Sequence, residues 1–256
     1  SGDTRELHSF PTRRSSDLFE GAGLLERWAV PLPCLLNGPI QHSSDELRER
    51  LGVHLESIRQ VAVCSVVPAF ALRLMDLQPL LGLPVPRIIS HSSTGLVLRY
   101  NPPESVGLDR IVNLVAAKAE VQSPLAVVDA GTAITIDLLD AAEEFVGGAI
   151  LPGARLMLQA LKLGTAQLPD IEPAVPSQPV GDSTRACLQA GLHYGLAGAI
   201  DRLLDEYELR LGNPLAVLLT GGDAELVAAR SHRLDTQLIR PDLTLQGIRL
   251  LEERLA

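Results

Sequence analysis

Apolar residues recur along the chain in two rhythms, short alternating or continuous runs and longer stretches at helical spacing. The most sharply drawn run is Leu125 to Leu139. Four apolar residues lead into Asp129, Gly131-Thr132 follows, and a β-branched run leaves again. This predicts two strands joined by a tight turn, with the acid at the end of the first. Upstream, Leu18 to Trp28 reads as strand, glycine turn and strand, and Ser43 to Leu55 as a helix with Asp45 and Glu46 in its first turn. Val61 to Val67 is a nearly continuous apolar run ended by Pro68, the pattern of a buried parallel strand. Ala69 to Gln78 reads as a helix and Arg87 to Ser90 as a short strand. A strand over Leu96 to Tyr100 runs into Pro102-Pro103, which enforce an extended loop. A helix then starts near Gly107-Leu108-Asp109-Arg110 and turns Ile111, Leu114 and Val115 inward.

Beyond the central hairpin, Phe145 to Gly153 predicts a strand and a glycine turn, and Ala154 to Leu163 a helix. Gly164 to Pro179 holds four prolines and reads as a loop covering a site. Arg185 to Leu211 is the longest helical run, with Gly191, Gly195 and Gly198 placed for close packing against another helix. Leu215 to Thr220 is a buried strand followed by Gly221-Gly222 and a helix, and Thr244 to Arg254 is the last helix. The strand–helix–strand rhythm indicates an α/β protein. Ser1 to Leu18 has neither period, and an opening hairpin with an incomplete first strand follows it. Residues 1–17 are therefore expected to be an atypical tail, either artefactual or a disordered N-terminal segment. Leu7 to Leu18 resembles translated sequencing-adapter read-through.

Composition narrows the function classes. Of the 256 residues, 46% are hydrophobic and 21% charged, enough apolar material for a packed core. The net charge of −9, with no basic cluster beyond Arg13-Arg14, disfavours a nucleic-acid surface. No run approaches a membrane span of ~18–20 apolar residues. Cys34, Cys64 and Cys187 are far apart and odd in number, which fits reduced, mostly buried thiols in a cytoplasmic enzyme. No zinc-ligand spacing, Gly-x-Ser-x-Gly elbow or P-loop occurs.

Chemistry concentrates at a few positions. Gly131 can bring backbone N–H groups close to a phosphate, Thr132 adds a hydroxyl, and Asp129 can hold a cation or water beside it. An ordinary hairpin with Asp129 and Thr132 capping its turn is the alternative. Taken alone, Asp109 and Arg110 read first as helix-dipole complement and solvated charge, ahead of any role in chemistry. Ser183 or Thr184 reads as an N-cap. Gly221-Gly222 suits a backbone approach to a nucleotide, and equally a plain strand–helix joint. His193 and Tyr194 read as packing or interface residues.

Four passages taken in order carry a resemblance: Tyr100…Gly107-Leu-Asp-Arg110, Asp129-Ala-Gly-Thr132-Ala-Ile-Thr-Ile-Asp137, Gly147 to Gly153, and Thr220-Gly-Gly222. So spaced, they resemble the type III pantothenate kinases of the actin-like acetate and sugar kinase superfamily. Leu163 to Pro169 and Gly181 to Thr184 also fit, and the likeness runs from about Leu18 to the end. It implies an α/β fold of two ribonuclease-H-like domains, mixed sheets flanked by helices with ATP between them, over 18–120 and 121–256, the last helix crossing back to the first domain. It implies a cytoplasmic homodimer that phosphorylates pantothenate with ATP, Mg2+ and K+ or NH4+, opening coenzyme A synthesis. Asp109 would be the general base. Tyr100, Gly107, Leu108, Asp109, Arg110 and Thr184 would bind pantothenate, which the partner subunit would help to enclose. Arg110 would take its carboxylate or the transferring phosphate. Gly131, Thr132, Thr220, Gly221 and Gly222 would hold ATP, and Asp129 the monovalent cation.

One departure stands out. The family opens with a strand and Asp-x-Gly-Asn-Thr/Ser followed by a lysine, whereas this chain offers only Gly2-Asp3-Thr4-Arg5. Loss of one phosphate donor can cost ~10²–10³ in rate. A non-catalytic nucleotide-binding regulatory protein is the competing expectation. A sugar or acetate kinase is a third, which Gly107-Leu-Asp-Arg110 opposes.

Overall fold

The computed structural model describes residues 13–20, 23–31, 39–64 and 68–255 of the chain. It divides into two compact units, Ser1–Ser90 with Glu252–Ala256, and His91–Leu251. Gly2 to Arg5, the turn between the first two strands, Cys34 and residues 65–67 of the expected Val61–Val67 strand lie outside the described residues. Among the described residues no helix is long and apolar enough to cross a membrane.

The first unit opens with strands β1 (Arg13–Glu20) and β2 (Gly23–Pro31), paired antiparallel with an irregularity between Leu18 and Phe19. The expected hairpin is present, but β1 takes in residues 13–17 that were assigned to the tail. A strand partner supplies backbone hydrogen bonds even where side-chain alternation is absent. Helix α1 (Ile40–Leu51) starts three residues ahead of the expected Ser43, so Asp45 and Glu46 fall outside its first turn. A 3-10 turn, Gly52–Ser57, follows it. Strand β3 (Ala62–Val63) pairs parallel with β4 (Arg87–Ile88) across helix α2 (Pro68–Leu81). Leu51, Leu77, Leu81 and Leu83 close a small core between these helices.

The second unit starts at His91, ahead of the expected boundary near residue 120. Helix α3 (Leu108–Glu120) packs on the sheet that follows it. Its Ile111, Leu114 and Val115 are buried as the periodicity predicts. Asp109 in the first turn and Lys118 in the last complement the helix dipole. The sheet consists of β5 (Leu125–Ala130), β6 (Ala133–Leu139), β7 (Phe145–Pro152) and, after two helices, β8 (Ala216–Thr220). Its order is β7-β6-β5-β8, with β8 parallel to β5 and the other pairs antiparallel. This is a mixed sheet flanked by helices, as expected. Leu96 to Tyr100 is not a strand; it makes one parallel bridge, Leu98 to Phe145. Two backbone bonds hold it there, Arg99 N–H to Phe145 O and Phe145 N–H to Val97 O.

Helix α4 (Ala154–Gly164) follows β7, and α5 (Thr184–Leu211) runs from an N-cap at Ser183 to a left-handed Gly212. The intervening proline-rich segment is irregular, as expected, and tied down by Lys162–Asp170 and Arg155–Glu172 pairs. Short α6 (Ala224–Ala228) follows β8, and α7 (Leu243–Leu255) ends the chain. Strand alternation then decides what faces what. Ala126, Val128, Ala130, Ile134 and Ile136 pack with Leu158 of α4 and Leu192, Leu196 and Ile200 of α5. Leu125, Val127, Leu139 and Leu218 pack with Ile111 and Leu114 of α3. Asp129 is the next residue on that second face.

Of the cysteines, Cys64 is partly buried and Cys187 exposed, so the expectation of mostly buried thiols fails for Cys187. Gly191, Gly195 and Gly198 are exposed, and nothing among the described residues lies within 4 Å of where their Cβ atoms would be.

Candidate active site

Every site residue expected from the sequence falls in the second unit, and most gather at one end of its sheet. Register places Asp129 of β5 between Thr135 of β6 and Thr220 of β8. In a sheet, cross-strand partners share a face, and so do residues two apart. Asp129, Thr135, Asp137 and Thr220 therefore all turn toward α3. That helix presents Asp109, Arg110 and Asn113 to them, with Asp109 and Asn113 one turn apart.

Two polar contacts, one buried and one part-buried, join helix to sheet. Arg110 donates from Nε to Asp137 Oδ1 at 2.8 Å, and its Nη2 lies 2.5 Å from the same oxygen. The other oxygen of Asp137 accepts from Thr135 Oγ1 at 2.9 Å. The guanidinium also sits 5.8 Å over the Phe145 ring, against which Tyr100 is tilted at 5.6 Å. Arg110 and Asp137 are both almost inaccessible, so removing either alone would strand a buried charge, at a cost of about 3–5 kcal/mol. The second contact is Asn113 Nδ2 to Asp129 Oδ2 at 3.1 Å. Thr244 Oγ1 of α7 donates to Asn113 Oδ1 at 2.6 Å. Helix α7 reaches this position because Gly247 lies against α3; a Cβ there would stand 2.2 Å from Val112 O.

The electrostatics follow from burial. Desolvation pushes Asp129 above the usual carboxylate range, the Asn113 bond opposes this, and the charges of Asp109 and Asp137 add to it. Asp137 is also raised by burial, against the pull of Arg110 and Thr135. Burial disfavours the Arg110 cation, yet Asp137 and then Tyr100 hold its pKa above the ordinary value. Three carboxylates thus interact here while the one guanidinium contacts only Asp137 among them, and the surplus negative charge suits a cation. Among the described residues no group of three or more His, Cys, Asp or Glu side chains could hold a metal ion. The donors present fit a monovalent cation at Asp129, or a divalent ion held by one or two carboxylates together with substrate phosphates.

The turns beside Asp129 are equally tight. Gly221, directly after β8, has φ +96°, and a Cβ there would lie 2.4 Å from Ala130 O and 2.6 Å from Asp129 Oδ1. Asp223 N–H bonds Ala130 O at 2.9 Å, and Gly153 N–H bonds Thr132 O at 2.9 Å. The Gly131-Thr132 turn, the Thr220-Gly221-Gly222 turn and the start of α4 thereby converge, with Thr132 and Gly222 exposed and Thr220 buried.

Asp109 is half-buried, and its Oδ1 accepts from Arg110 N at 3.0 Å. A Cβ on Gly107 would come within 2.6 Å of that oxygen, so glycine there leaves the carboxylate its place. Leu108 is buried beside them. Thr184 stands apart as the exposed first residue of α5, and among the described residues no hydrogen bond links it to Asp109 or Arg110.

Asn113, Thr135, Phe145 and Thr244 were not singled out from the sequence, and Asp137 had no role assigned. The legible signals were a lone amide inside the apolar run Ile111 to Val115 and an acid two residues beyond Thr135 in a β-branched strand.

A family model described as type III pantothenate kinase matches residues 12–206. The chain belongs to this family. Curated relatives named type III pantothenate kinase agree over nearly their whole length. That of Dehalococcoides mccartyi is 34% identical over 244 residues, 91% of each chain. That of Parafrankia sp. is 37% identical over 243 residues, 93% of this chain and 92% of the relative. That of Anaeromyxobacter dehalogenans is 35% identical over 257 residues, covering 95% and 96%. Among solved structures, one from Campylobacter jejuni, described as a Baf family transcriptional activator, superposes with a TM-score of 0.55. It spans 91% of this chain and 92% of its own at 18% identity, a likeness of fold alone. Family membership makes the chain a kinase.

Proposed function

We propose that the protein transfers the γ-phosphoryl group of ATP to the primary hydroxyl of pantothenate, the first step of coenzyme A synthesis. The observation that carries this reading is Asp109. It is a half-buried carboxylate at the head of α3, flanked by a fixed arginine and placed at the sheet end where the glycine turns converge.

Phosphoryl transfer needs positioned phosphates, offset charge and a proton acceptor near the nucleophile. Asp109 takes the hydroxyl proton as general base. Tyr100, Gly107, Leu108 and Arg110 surround the substrate, Arg110 meeting its carboxylate or the transferring phosphate. Thr184 completes this pocket, either from its own chain or across a dimer. Gly131 and Thr132 approach the phosphates, and Thr220, Gly221 and Gly222 lie along the adenosine. Asp129 suits K+ or NH4+, which offsets surplus negative charge when bound, and Mg2+ accompanies the nucleotide. The exposed face of Gly191, Gly195 and Gly198 supports a homodimer in which α5 meets its own copy. A cytoplasmic location fits this metabolic role. As domain limits for the kinase we retain 18–120 and 121–256.

The experiment is ATP turnover with pantothenate, with and without potassium, beside a panel of sugars and acetate. Potassium-dependent turnover with pantothenate alone is expected. Turnover with a sugar, or none with any acceptor, would overturn the reading.

A further inference from the structure

The guanidinium of Arg110 is more fully fixed than substrate binding alone requires. Two of its nitrogens, Nε and Nη2, converge on Asp137 Oδ1. Asp137 is itself locked, since Thr135 Oγ1 holds its second oxygen at 2.9 Å and only 1% of the residue is accessible. Phe145 lies 5.8 Å beneath the guanidinium, and Tyr100 packs on that ring. The edge of an arginine that ordinarily takes a carboxylate in two parallel bonds is therefore already filled.

We propose that Asp137 is a positioning residue that fixes Arg110, so that a substrate anion meets only the remaining part of the guanidinium. This rests on the pantothenate kinase reading for the identity of that anion. Two consequences follow from the geometry. A bidentate clamp of Arg110 on a substrate carboxylate does not form at the Nε–Nη2 edge. The positive charge offered to substrate is already matched by Asp137, so orientation, more than net attraction, sets recognition there. Thr135 acts one step further out, through Asp137.

The test combines a thermodynamic cycle with a spectroscopic reading. Asp137→Asn keeps the shape and an acceptor oxygen while removing the charge. For pantothenate it is expected to lower kcat/KM about 10-fold or more, mainly through KM, with KM for ATP little changed. In an Arg110→Lys background the same change is expected to alter kcat/KM less than about 2-fold, since residues acting through one contact are not additive. Equal effects in both backgrounds would overturn the proposal. The second reading is the Arg110 Nε–H resonance in 15N-arginine-labelled protein, assigned by its loss in Arg110→Lys. It is expected to be sharp and slow to exchange in the wild type and averaged in Asp137→Asn. If Asp137→Asn does not fold, Thr135→Val takes its place, with a smaller shift of the same resonance expected. If the wild type does not phosphorylate pantothenate, the kinase reading fails by itself, and the resonance still decides. An Arg110 signal unchanged by these variants would show that Asp137 does not position it.

Discussion

Asn113 donates its side-chain amide to Asp129 across the junction of α3 and β5, at 3.1 Å. The other end of that amide is held by Thr244, so two residues from two helices fix one carboxylate of the sheet. Hydrogen bonds to charged groups contribute about 1.5–3 kcal/mol. Asn113→Ala is accordingly expected to raise the potassium concentration for half-maximal turnover by about 10-fold or more. Thr244→Val should do so to a lesser degree, and Thr244→Ser should behave like wild type. Turnover measured over graded potassium chloride checks all three.

Asp109 makes few contacts that the fold depends on. Asp109→Asn should therefore leave the melting temperature nearly unchanged while reducing pantothenate-dependent turnover by about 10²–10⁴-fold, the usual contribution of a general base. Steady-state rates beside a thermal melt would separate the two effects. Wild-type-like turnover would remove Asp109 from the role.

Gly221 combines a positive φ with a close approach to the Ala130 carbonyl. A side chain there meets both a disfavoured backbone conformation and a clash, so Gly221→Ala should destabilise the protein by at least about 2 kcal/mol. It should also weaken nucleotide binding more than pantothenate binding. Denaturant unfolding and ATP titration read the two.

His193 provides a pH dependence of stability. It is buried on α5, its Nε2 has no hydrogen-bond partner among the described residues, and burial holds its pKa below the ordinary histidine value. Above that ordinary value, about 6.5, both folded and unfolded imidazoles are neutral and the group has no effect. As pH falls through it, the unfolded state takes up the proton first, so stability drops until the folded pKa is passed. His193→Gln should therefore lose less melting temperature than wild type between pH 7.5 and pH 5.5. An equal loss in both would show that other groups govern the acid side.

Much of the second unit could be read from local pattern. The apolar run into Asp129 and the β-branched run out of Gly131-Thr132 left a hairpin as the natural solution. The spacing of Ile111, Leu114 and Val115 fixed which side of α3 is buried. Local pattern was less informative for Leu96 to Tyr100, which has strand-like residues yet pairs at a single bridge, and for residues 13–17, which lack alternation yet form strand. Pairing depends on the partner as well as on the segment.

What the sequence determined by itself is the α/β succession, the hairpin, the Gly107-to-Arg110 helix start and, through their spacing, the family. Those are properties of neighbouring residues, set by side-chain period and by where glycine and proline allow the chain to turn. The tertiary structure alone decided which polar groups complete the site. Arg110 meets Asp137 across 27 residues, and Thr244 reaches Asn113 across 131. Those contacts exist because strand register puts the acids on the α3 face and because Gly247 lets α7 approach that helix. No local pattern carries either fact.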